Sequence, residues 1–248
     1  MNIRVGVFAS GGGTNLQSLL DKLNGAASAH ARVELVISDR IDSGALGRAR
    51  DAGVVARTIP VIGRSTEDVS VETIEVLERE RIDLIALAGY LRLVPKAVVE
   101  RWRGRILNIH PALLPAFGGK GMYGRHVHRA VLEQGCLVTG ATVHLVDERY
   151  DEGKPLVQWP VPVLRGDTAE TLGARVLQVE HVLYPLAVEI AARALMGDRH
   201  IGEMMQMAWG SRAWGFDADA GAFAWDEEGI PPGDTLGRLM GMDEKEEK

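Results

Sequence analysis

The sequence is poor in cysteine, in long apolar runs and in net positive charge, and each shortage excludes a class of protein. Cys136 is the only cysteine among 248 residues, so the chain has neither a disulfide framework nor a zinc site built from thiolates. The longest apolar runs, such as residues 84–88, are far too short to cross a membrane. The net charge of -6 provides no overall basic surface for nucleic acid. We therefore expect a cytoplasmic protein that binds neither membranes nor nucleic acid.

What the sequence does contain is an alternation of short apolar runs with segments of helical periodicity. Residues 3–9 form the first predicted strand, and four leucines follow it at helical spacing. This β-α-β pattern predicts an α/β fold with a Rossmann-like, doubly wound, mostly parallel sheet that binds ligands beyond the carboxyl ends of its strands. The next strands are predicted at residues 33–38, 55–60, 83–88 and 105–109, with helices at residues 44–52, after Ser65 and from Pro95 to Trp102.

The pattern changes after His110. A glycine-rich loop over residues 117–124 leads to a short helix, and two strands at residues 138–146 and 156–163 form a predicted antiparallel C-terminal hairpin. A long helix follows. Its predicted features are a capping box of Asp167 and Glu170, a kink or break at Pro185 and an end at Gly197.

The run from Asn108 to Pro115 combines a strand end with two polar side chains. Residues two apart on a strand point to the same face, so Asn108 and His110 present an amide and an imidazole side by side. An amide donor can hold a carbonyl oxygen while an imidazole moves a proton, and acyl transfer needs both. We take this run as the candidate reactive site.

A glycine-rich turn, residues 10–15, joins the first predicted strand to the first helix. Its glycines let backbone N–H groups approach a ligand, and the helix behind it adds N–H donors that suit a phosphate. The turn departs from the dinucleotide fingerprint because Leu16 stands where a third glycine is needed. A single phosphate monoester therefore fits better than a dinucleotide, and a tight turn without a ligand is the alternative.

Asp151 occupies the turn between the two late strands and is a candidate partner for His110. A carboxylate close to an imidazole raises the imidazole pKa and can order a water that carries protons. Plain hairpin chemistry explains an aspartate there equally well. His144, on the preceding strand, is a candidate partner that supports these residues from behind, with an ordinary core or surface histidine as the alternative.

The sequence offers no convincing metal site. His126 and His128 point apart on a helix at their i, i+2 spacing, and no carboxylate or cysteine set completes a site around them. We therefore expect no metal. Arg64 is a candidate contact for an anionic ligand, with an exposed, solvated charge as the alternative.

Taken together, these motifs resemble those of the folate-dependent formyltransferase family over residues 1–197. The resemblance rests on the Asn108–Pro115 run, the glycine-rich turn and Asp151, and extends to residues 87–92 and 180–185. Within the family it is similar to the branch that formylates glycinamide ribonucleotide. It implies a formyltransferase fold and transfer of the formyl group of 10-formyltetrahydrofolate, a co-substrate, to the ribonucleotide amine. The products are formylglycinamide ribonucleotide and tetrahydrofolate, in purine biosynthesis.

The resemblance also implies roles for the matching residues. Asn108, His110 and Asp151 are catalytic, and Glu180 contacts the ribose. Arg64 faces the ligand cleft. The binding assignments are phosphate contacts from Gly11, Gly12, Gly13, Thr14 and Asn15, and folate contacts from Leu91, Arg92, Leu93, Val94, Val146 and Asp147 together with Asn108 and Asp151.

The resemblance divides the chain into a domain and an arm. Residues 1–197 form the formyltransferase domain, with a phosphate-binding half at about 1–104 and a catalytic, folate-binding half at about 105–197. Residues 198–248 form an arm with a charged end, which packs on the domain or contacts a partner. Either a monomer or a homodimer is compatible with the sequence. The arm is rich in tryptophan, with Trp209, Trp214 and Trp225.

Three alternatives remain open at this point. The hydrolase that releases formate and the transferase that acts on initiator methionyl-tRNA share the asparagine–histidine pair. The strand beginning at Ile3 leaves no room for the regulatory domain typical of the hydrolase, and the acidic C-terminal segment does not suit RNA. A non-catalytic folate or nucleotide sensor on the same fold is the third alternative, and the presence of all three catalytic residues argues against it.

Overall fold

The apolar runs form strands in the computed structural model, which describes residues 2–25, 30–204, 216–217 and 222–223. Two strands near the C-terminus, β8 (Phe216–Asp217) and β9 (Ala222–Phe223), pair antiparallel with each other. The strands of the main sheet are β1 (Ile3–Phe8), β2 (Ala31–Ser38), β3 (Val55–Thr58), β4 (Leu84–Leu87), β5 (Ile106–His110), β6 (Val138–Leu145) and β7 (Pro155–Pro162).

The main sheet has the strand order β3-β2-β1-β4-β5-β6-β7. Strands β1 to β5 are parallel, whereas β6 runs antiparallel to β5 and pairs with β7 as a hairpin. The doubly wound, mostly parallel sheet with an antiparallel C-terminal hairpin is therefore confirmed. The strand order reverses between β1 and β4, and such a reversal opens a ligand crevice at the carboxyl ends of the strands.

The helices lie where the helical periodicity predicted them. Ser65 accepts a hydrogen bond from the N–H of Asp68 and so begins the third helix as expected. The helices are α1 (Thr14–Leu19), which continues as a π-helical turn over Leu20–Asn24, α2 (Gly44–Asp51), α3 (Thr66–Arg79), α4 (Lys96–Arg101), α5 (Arg125–Glu133) and α6 (Ala169–Met196).

The sheet is covered on both faces, which explains why its central strands are apolar throughout. Helices α3 and α4 contribute Leu77 and Val98 to the core on one face. Helix α6 contributes much of the core on the other face and is tied directly to the sheet. Its Tyr184 Oη lies 2.9 Å from the carbonyl oxygen of Leu87 and 3.1 Å from that of Leu107. These carbonyls belong to β4 and β5, so one buried hydroxyl joins α6 to both strands.

The start of α6 differs by one residue from the predicted capping box. Thr168, not Asp167, is the N-cap, and its side chain and backbone exchange hydrogen bonds with Thr171. Asp167 instead pairs with Arg175 at 2.8 Å and also accepts from Thr171 Oγ1. The predicted box was wrong because two adjacent residues, both suited to capping, compete for this position.

Pro185 does not split α6, which runs unbroken to Met196 and ends before Gly197, as predicted. Proline removes one internal hydrogen bond from the helix. Around it Tyr184, Ala187 and Val188 are buried against the sheet. We attribute the continuity to this packing, since most helix stability in proteins comes from packing of the buried face.

The remaining expectations concern membrane-spanning helices, metal ligands and the C-terminal arm. No helix in the part of the chain that the structure describes is long and apolar enough to span a membrane. The same residues contain no cluster of three or more potential metal ligands. Trp209, Trp214 and Trp225 lie outside the described residues, so the role of the arm stays a prediction.

Candidate active site

A cleft of about 870 Å³ opens at the carboxyl ends of β1, β4 and β5. Its walls are the turn between β1 and α1, the segment after β4, the end of β5, the glycine-rich loop and one face of α6. A cleft of this size suits small-molecule ligands. It brings together residues that the sequence placed far apart, namely Gly11, Asn15, Leu91, Arg92, Asn108, His110, Asp151 and Glu180.

The centre of the cleft contains the three residues expected to be catalytic. Asn108 and His110 share one face of β5, and the turn of the β6–β7 hairpin brings Asp151 against both. Asn108 Nδ2 lies 3.4 Å from Asp151 Oδ1, and His110 Nδ1 lies 3.5 Å from Asp151 Oδ2. The predicted side-by-side arrangement on the strand is therefore correct, and one carboxylate faces both side chains.

His144 fixes the orientation of the Asn108 amide. Its Nδ1 lies 2.8 Å from the carbonyl oxygen of Leu145, which can only accept, so Nδ1 carries the proton. Its Nε2 is then an acceptor and lies 3.0 Å from Asn108 Nδ2. Residues 108 and 144 are direct partners in the β5–β6 register. His144 thus holds Nδ2 of Asn108 toward Asp151.

His110 is buried, with 3% of its surface exposed. Its Nε2 donates to the carbonyl oxygen of Phe117 at 2.8 Å, which leaves Nδ1 facing Asp151. Burial lowers the pKa of His110 below its usual value, although Asp151 and the Phe117 carbonyl both act to raise it. The predicted rise in this pKa was wrong because desolvation of the imidazolium outweighs the carboxylate. The neutral imidazole, with a free lone pair on Nδ1, is the resting form.

Asp151 is held ionised by its neighbours. Burial acts to raise its pKa, but His144 and His110 in their protonated forms and the backbone N–H of Gly119 together bring the pKa below its usual value. The Gly119 N–H donates to Asp151 Oδ2 at 3.0 Å. The backbone of Asp151 has a positive φ of 55°, which the hairpin turn imposes. The Gly119 hydrogen bond thereby ties the glycine-rich loop to the Asp151 carboxylate.

The turn after β1 presents a row of free backbone donors. No N–H group of residues 11–16 donates a hydrogen bond within the described part of the chain. Gly13 sits at the start of α1 with a φ of 74°, a conformation that favours glycine. Leu16 adopts the helix and is fully buried, so this residue packs rather than contacts a ligand. This arrangement has the features of an anion seat at a helix N-terminus.

Glu180 approaches that seat from α6. Asn15 Nδ2 donates to Glu180 Oε2 at 2.5 Å, and both side chains are buried. Burial raises the pKa of Glu180 to about 7, and the Asn15 hydrogen bond only partly offsets this rise. A carboxyl group with a pKa of about 7 is protonated in about half of the molecules at neutral pH, which reduces charge repulsion with an anionic ligand beside it.

The residues assigned to folate binding are only partly assembled at the cleft. Leu91 and Arg92 line it, but Leu93, Val94, Val146 and Asp147 do not. Arg92 Nε pairs with Asp39 at 2.8 Å, and the Leu91 N–H already donates to Ser10 Oγ.

Arg64 is not among the residues that line the cleft. Its guanidinium pairs with Glu72 on α3, and the structure does not bring it to the other site residues. Its expected role as an anion contact stays a prediction.

Sequence reasoning missed His128 and Gly173 as residues of the cleft. His128 was considered only as a metal ligand, yet it lines the cleft with 5% of its surface exposed, and its Nδ1 is buried without a hydrogen-bond partner in the described chain. Burial lowers its pKa to about 4. Gly173 on α6 leaves room for it, because a Cβ there would lie 2.9 Å from His128 Cδ2. Only the i, i+3 relation of His128 to Arg125, another cleft residue, could have signalled this from sequence.

Comparison with known proteins agrees with the site. Residues 3–188 match the model of the family described as formyl transferase. The chain is 41% identical over 187 residues to the chloroplastic phosphoribosylglycinamide formyltransferase of Vigna unguiculata, covering 75% of this chain and 60% of that protein. It is 37% identical to the Escherichia coli phosphoribosylglycinamide formyltransferase, covering 73% and 84% of the two chains.

Solved structures that resemble this chain include enzymes of the same kind as these relatives. Glycinamide ribonucleotide transformylase 1 from Symbiobacterium toebii superposes with a TM-score of 0.73 at 44% identity, covering 78% of this chain and 89% of that one. Among curated relatives, however, the chain spans about 60% of the length of the two plant proteins that it matches at 41% and 43% identity.

Proposed function

Because the chain belongs to the formyl transferase family, we propose that it transfers a formyl group from 10-formyltetrahydrofolate to the amine of glycinamide ribonucleotide. The observation that carries the proposal is the presence of two features in one cleft. The turn of residues 11–16, whose backbone N–H groups have no acceptor in the described chain, reaches one wall through Gly11 and Asn15, and the Asn108–His110–Asp151 cluster lies on another wall. The first suits a phosphate ester, and the second suits acyl transfer.

The two ligands bind to different parts of the cleft. The phosphate sits on the backbone N–H groups of residues 11–15, and Glu180 contacts the ribose. The folate ring lies against Leu91, Arg92 and Asp151, which line the cleft, and extends toward residues 93–94 and 146–147 beyond its lining, so that its formyl group reaches Asn108. The domain boundaries expected from the sequence follow the same division, with a phosphate half before about residue 104 and a catalytic half after it. These assignments, together with the oligomeric state and the cytoplasmic location, are proposals.

Asn108 stabilises the oxygen of the formyl group as the amine attacks. One Nδ2 hydrogen is bonded to His144, while the other faces Asp151 over a long 3.4 Å contact. This second hydrogen is the one available to the oxygen that becomes negative when the C–N bond forms. Such preorganised donors stabilise the tetrahedral intermediate more than the reactants.

His110 and Asp151 manage the proton. Neutral His110 has its lone pair on Nδ1, which accepts the proton that the attacking amine loses. The imidazolium that forms is stabilised by Asp151, which is ionised and faces Nδ1, directly or through a water. The proton then passes to the folate nitrogen as its bond to the formyl carbon breaks. The products are the formamide and tetrahydrofolate.

The test is an assay of the purified protein with 10-formyltetrahydrofolate, with and without glycinamide ribonucleotide. We expect tetrahydrofolate to form only when the ribonucleotide is present, in equal amount to formylglycinamide ribonucleotide. Equal release of tetrahydrofolate without the ribonucleotide would instead identify a hydrolase. Binding of both ligands without turnover would identify a sensor, and either result would overturn the proposal.

A further inference from the structure

The carbonyl groups of the glycine-rich turn are held from behind by α2. The Gly11 carbonyl oxygen accepts from the Ala45 N–H at 3.1 Å and from Ser43 Oγ at 2.9 Å. The Gly12 carbonyl oxygen accepts from Arg48 Nε at 2.8 Å. Two successive peptide groups of the turn are therefore oriented by one neighbouring helix and its cap.

This orientation decides where the N–H groups point. In a planar trans peptide, the C=O of one residue and the N–H of the next point in opposite directions. Since the carbonyls of Gly11 and Gly12 point toward α2, the N–H groups of Gly12 and Gly13 point away from it. These are two of the free donors of the anion seat. Rotation of the peptide between Gly12 and Gly13 would replace an N–H donor with a carbonyl oxygen that repels an anion.

Arg48 differs from the other groups that hold the turn because it is charged. Its Nη1 donates to Gln17 Oε1 at 2.9 Å, and Gln17 in turn donates to Asp21. Among the described residues, no carboxylate lies within salt-bridge distance of its guanidinium. Both of its hydrogen-bond acceptors are neutral oxygens, so no ion pair within the described chain neutralises its positive charge. One of these acceptors is the Gly12 carbonyl, so the charge lies next to the glycine-rich turn.

We propose that Arg48 is a positioning residue for the phosphate of the substrate. It fixes the peptide between Gly12 and Gly13 with the N–H facing the phosphate, and it adds a positive charge behind that peptide. This inference rests on the proposed function and concerns the affinity for the phosphorylated substrate. It assigns no contact between Arg48 and the reacting atoms.

The test compares Arg48→Met with Arg50→Met, a matched control on the same helix. Arg50 is exposed, and its side chain has no hydrogen bond or ion pair within the described chain. For Arg48→Met we expect the KM for glycinamide ribonucleotide to rise about tenfold or more, the size of one charge-assisted hydrogen bond, with kcat changed less than about threefold. The KM for the unphosphorylated glycinamide riboside should stay unchanged. Arg50→Met should resemble the wild type in all three values.

A further variant separates position from charge. Arg48→Lys keeps the charge but replaces the planar fork that reaches Gly12 and Gln17 together, so we expect an intermediate KM. A wild-type KM in Arg48→Lys, or equal losses with the phosphorylated and unphosphorylated substrates in Arg48→Met, would overturn the inference. These failures differ from failure of the proposed function, in which the wild-type protein itself would not use glycinamide ribonucleotide. Thermal unfolding of each variant shows whether a loss comes from folding.

Discussion

The two walls of the cleft present different kinds of groups to a ligand, backbone N–H groups on one wall and side chains on the other. The phosphate wall consists of backbone N–H groups on a glycine-rich turn, and its geometry comes from peptide planes held by α2. The proposed catalytic wall consists of the side chains of Asn108, His110 and Asp151, and burial and neighbouring groups shift the pKa values of His110 and Asp151.

The construction of each wall determines how it tolerates substitution. Removing a side chain from the catalytic wall removes a reacting or charge-stabilising group outright. The phosphate wall is also sensitive to an added side chain, because a Cβ at Gly13 would lie 2.8 Å from the Cα of Ala45. We therefore expect losses in kcat from one wall and losses in affinity from the other.

The largest effect is expected from truncation of the catalytic wall. Asn108→Ala, His110→Ala and Asp151→Asn should each lower kcat far more than stability, and loss of the Asn108 donor should cost about 2.7–4 kcal/mol of barrier, or a hundredfold or more in rate. Steady-state kinetics with urea unfolding of the same samples measures both quantities. His200→Ala, a change at an exposed histidine outside the cleft, is the control and should keep wild-type kcat. Near-wild-type turnover in Asn108→Ala or His110→Ala would contradict the assignment.

The second effect should appear in affinity. Gly13→Ala places a Cβ against Ala45 and forces alanine into a left-handed conformation, which costs about 1–2 kcal/mol. We expect a lower free energy of unfolding and a KM for glycinamide ribonucleotide raised about tenfold, with a smaller change in kcat. Gly47→Ala is the matched control, since a Cβ added there inside α2 would meet no atom within 4 Å, and it should stabilise the protein by about 0.5–1 kcal/mol. A drop in kcat larger than the rise in KM for Gly13→Ala would break the distinction between the walls.

The smallest effect is a pair of opposite pH dependences of stability. His128 has a folded pKa of about 4, so the unfolded chain takes up its proton first and stability falls as the pH drops from about 6.5 toward 4. Glu180 has a folded pKa of about 7, so the unfolded chain loses its proton first and stability falls as the pH rises from 4.5 to about 7. Each effect should amount to roughly 1–3 kcal/mol.

Two neutral variants test the pair by urea unfolding at pH 5 and pH 8. His128→Gln should reduce the loss at pH 5, and Glu180→Gln should raise stability at pH 8. His126→Gln, a change at an exposed histidine on the same helix, should leave the pH dependence as in the wild type. The two variants should change the difference in free energy of unfolding between pH 8 and pH 5 with opposite signs. A change of the same sign in both would contradict the prediction.

Local patterns were enough to predict most of the fold and the centre of the site. The alternation of strands and helices identified the doubly wound sheet, because each apolar run is bounded by turn residues that end it. The period of a strand placed Asn108 and His110 on one face, as found. The approach of Asp151 depended on recognising a hairpin between two late strands, and that hairpin is present.

The features that sequence patterns missed depend on contacts between distant segments. Whether the pKa of His110 is raised or lowered depends on how deeply the fold buries the ring, which no local spacing reveals. Arg48 lies 36 residues from the carbonyl that it holds, and Gly173 leaves room for a histidine on another helix. The cap of α6 was misplaced because Asp167 and Thr168 are both suited to the position, and only tertiary pairing with Arg175 separates them.

Helix α6 connects the glycine-rich turn to two central strands of the sheet, through Glu180 at one position and Tyr184 at another. Glu180, one helical turn earlier and about 6 Å along the axis, touches the phosphate turn through Asn15. Tyr184 anchors the same helix to β4 and β5, and β5 carries Asn108 and His110. In the proposed function, α6 therefore fixes the distance between the bound phosphate and the attacking amine. We therefore expect phosphorylated amines one bond longer or shorter than the proposed acceptor, glycinamide ribonucleotide, to bind through their phosphate and to place the amine away from the formyl carbon.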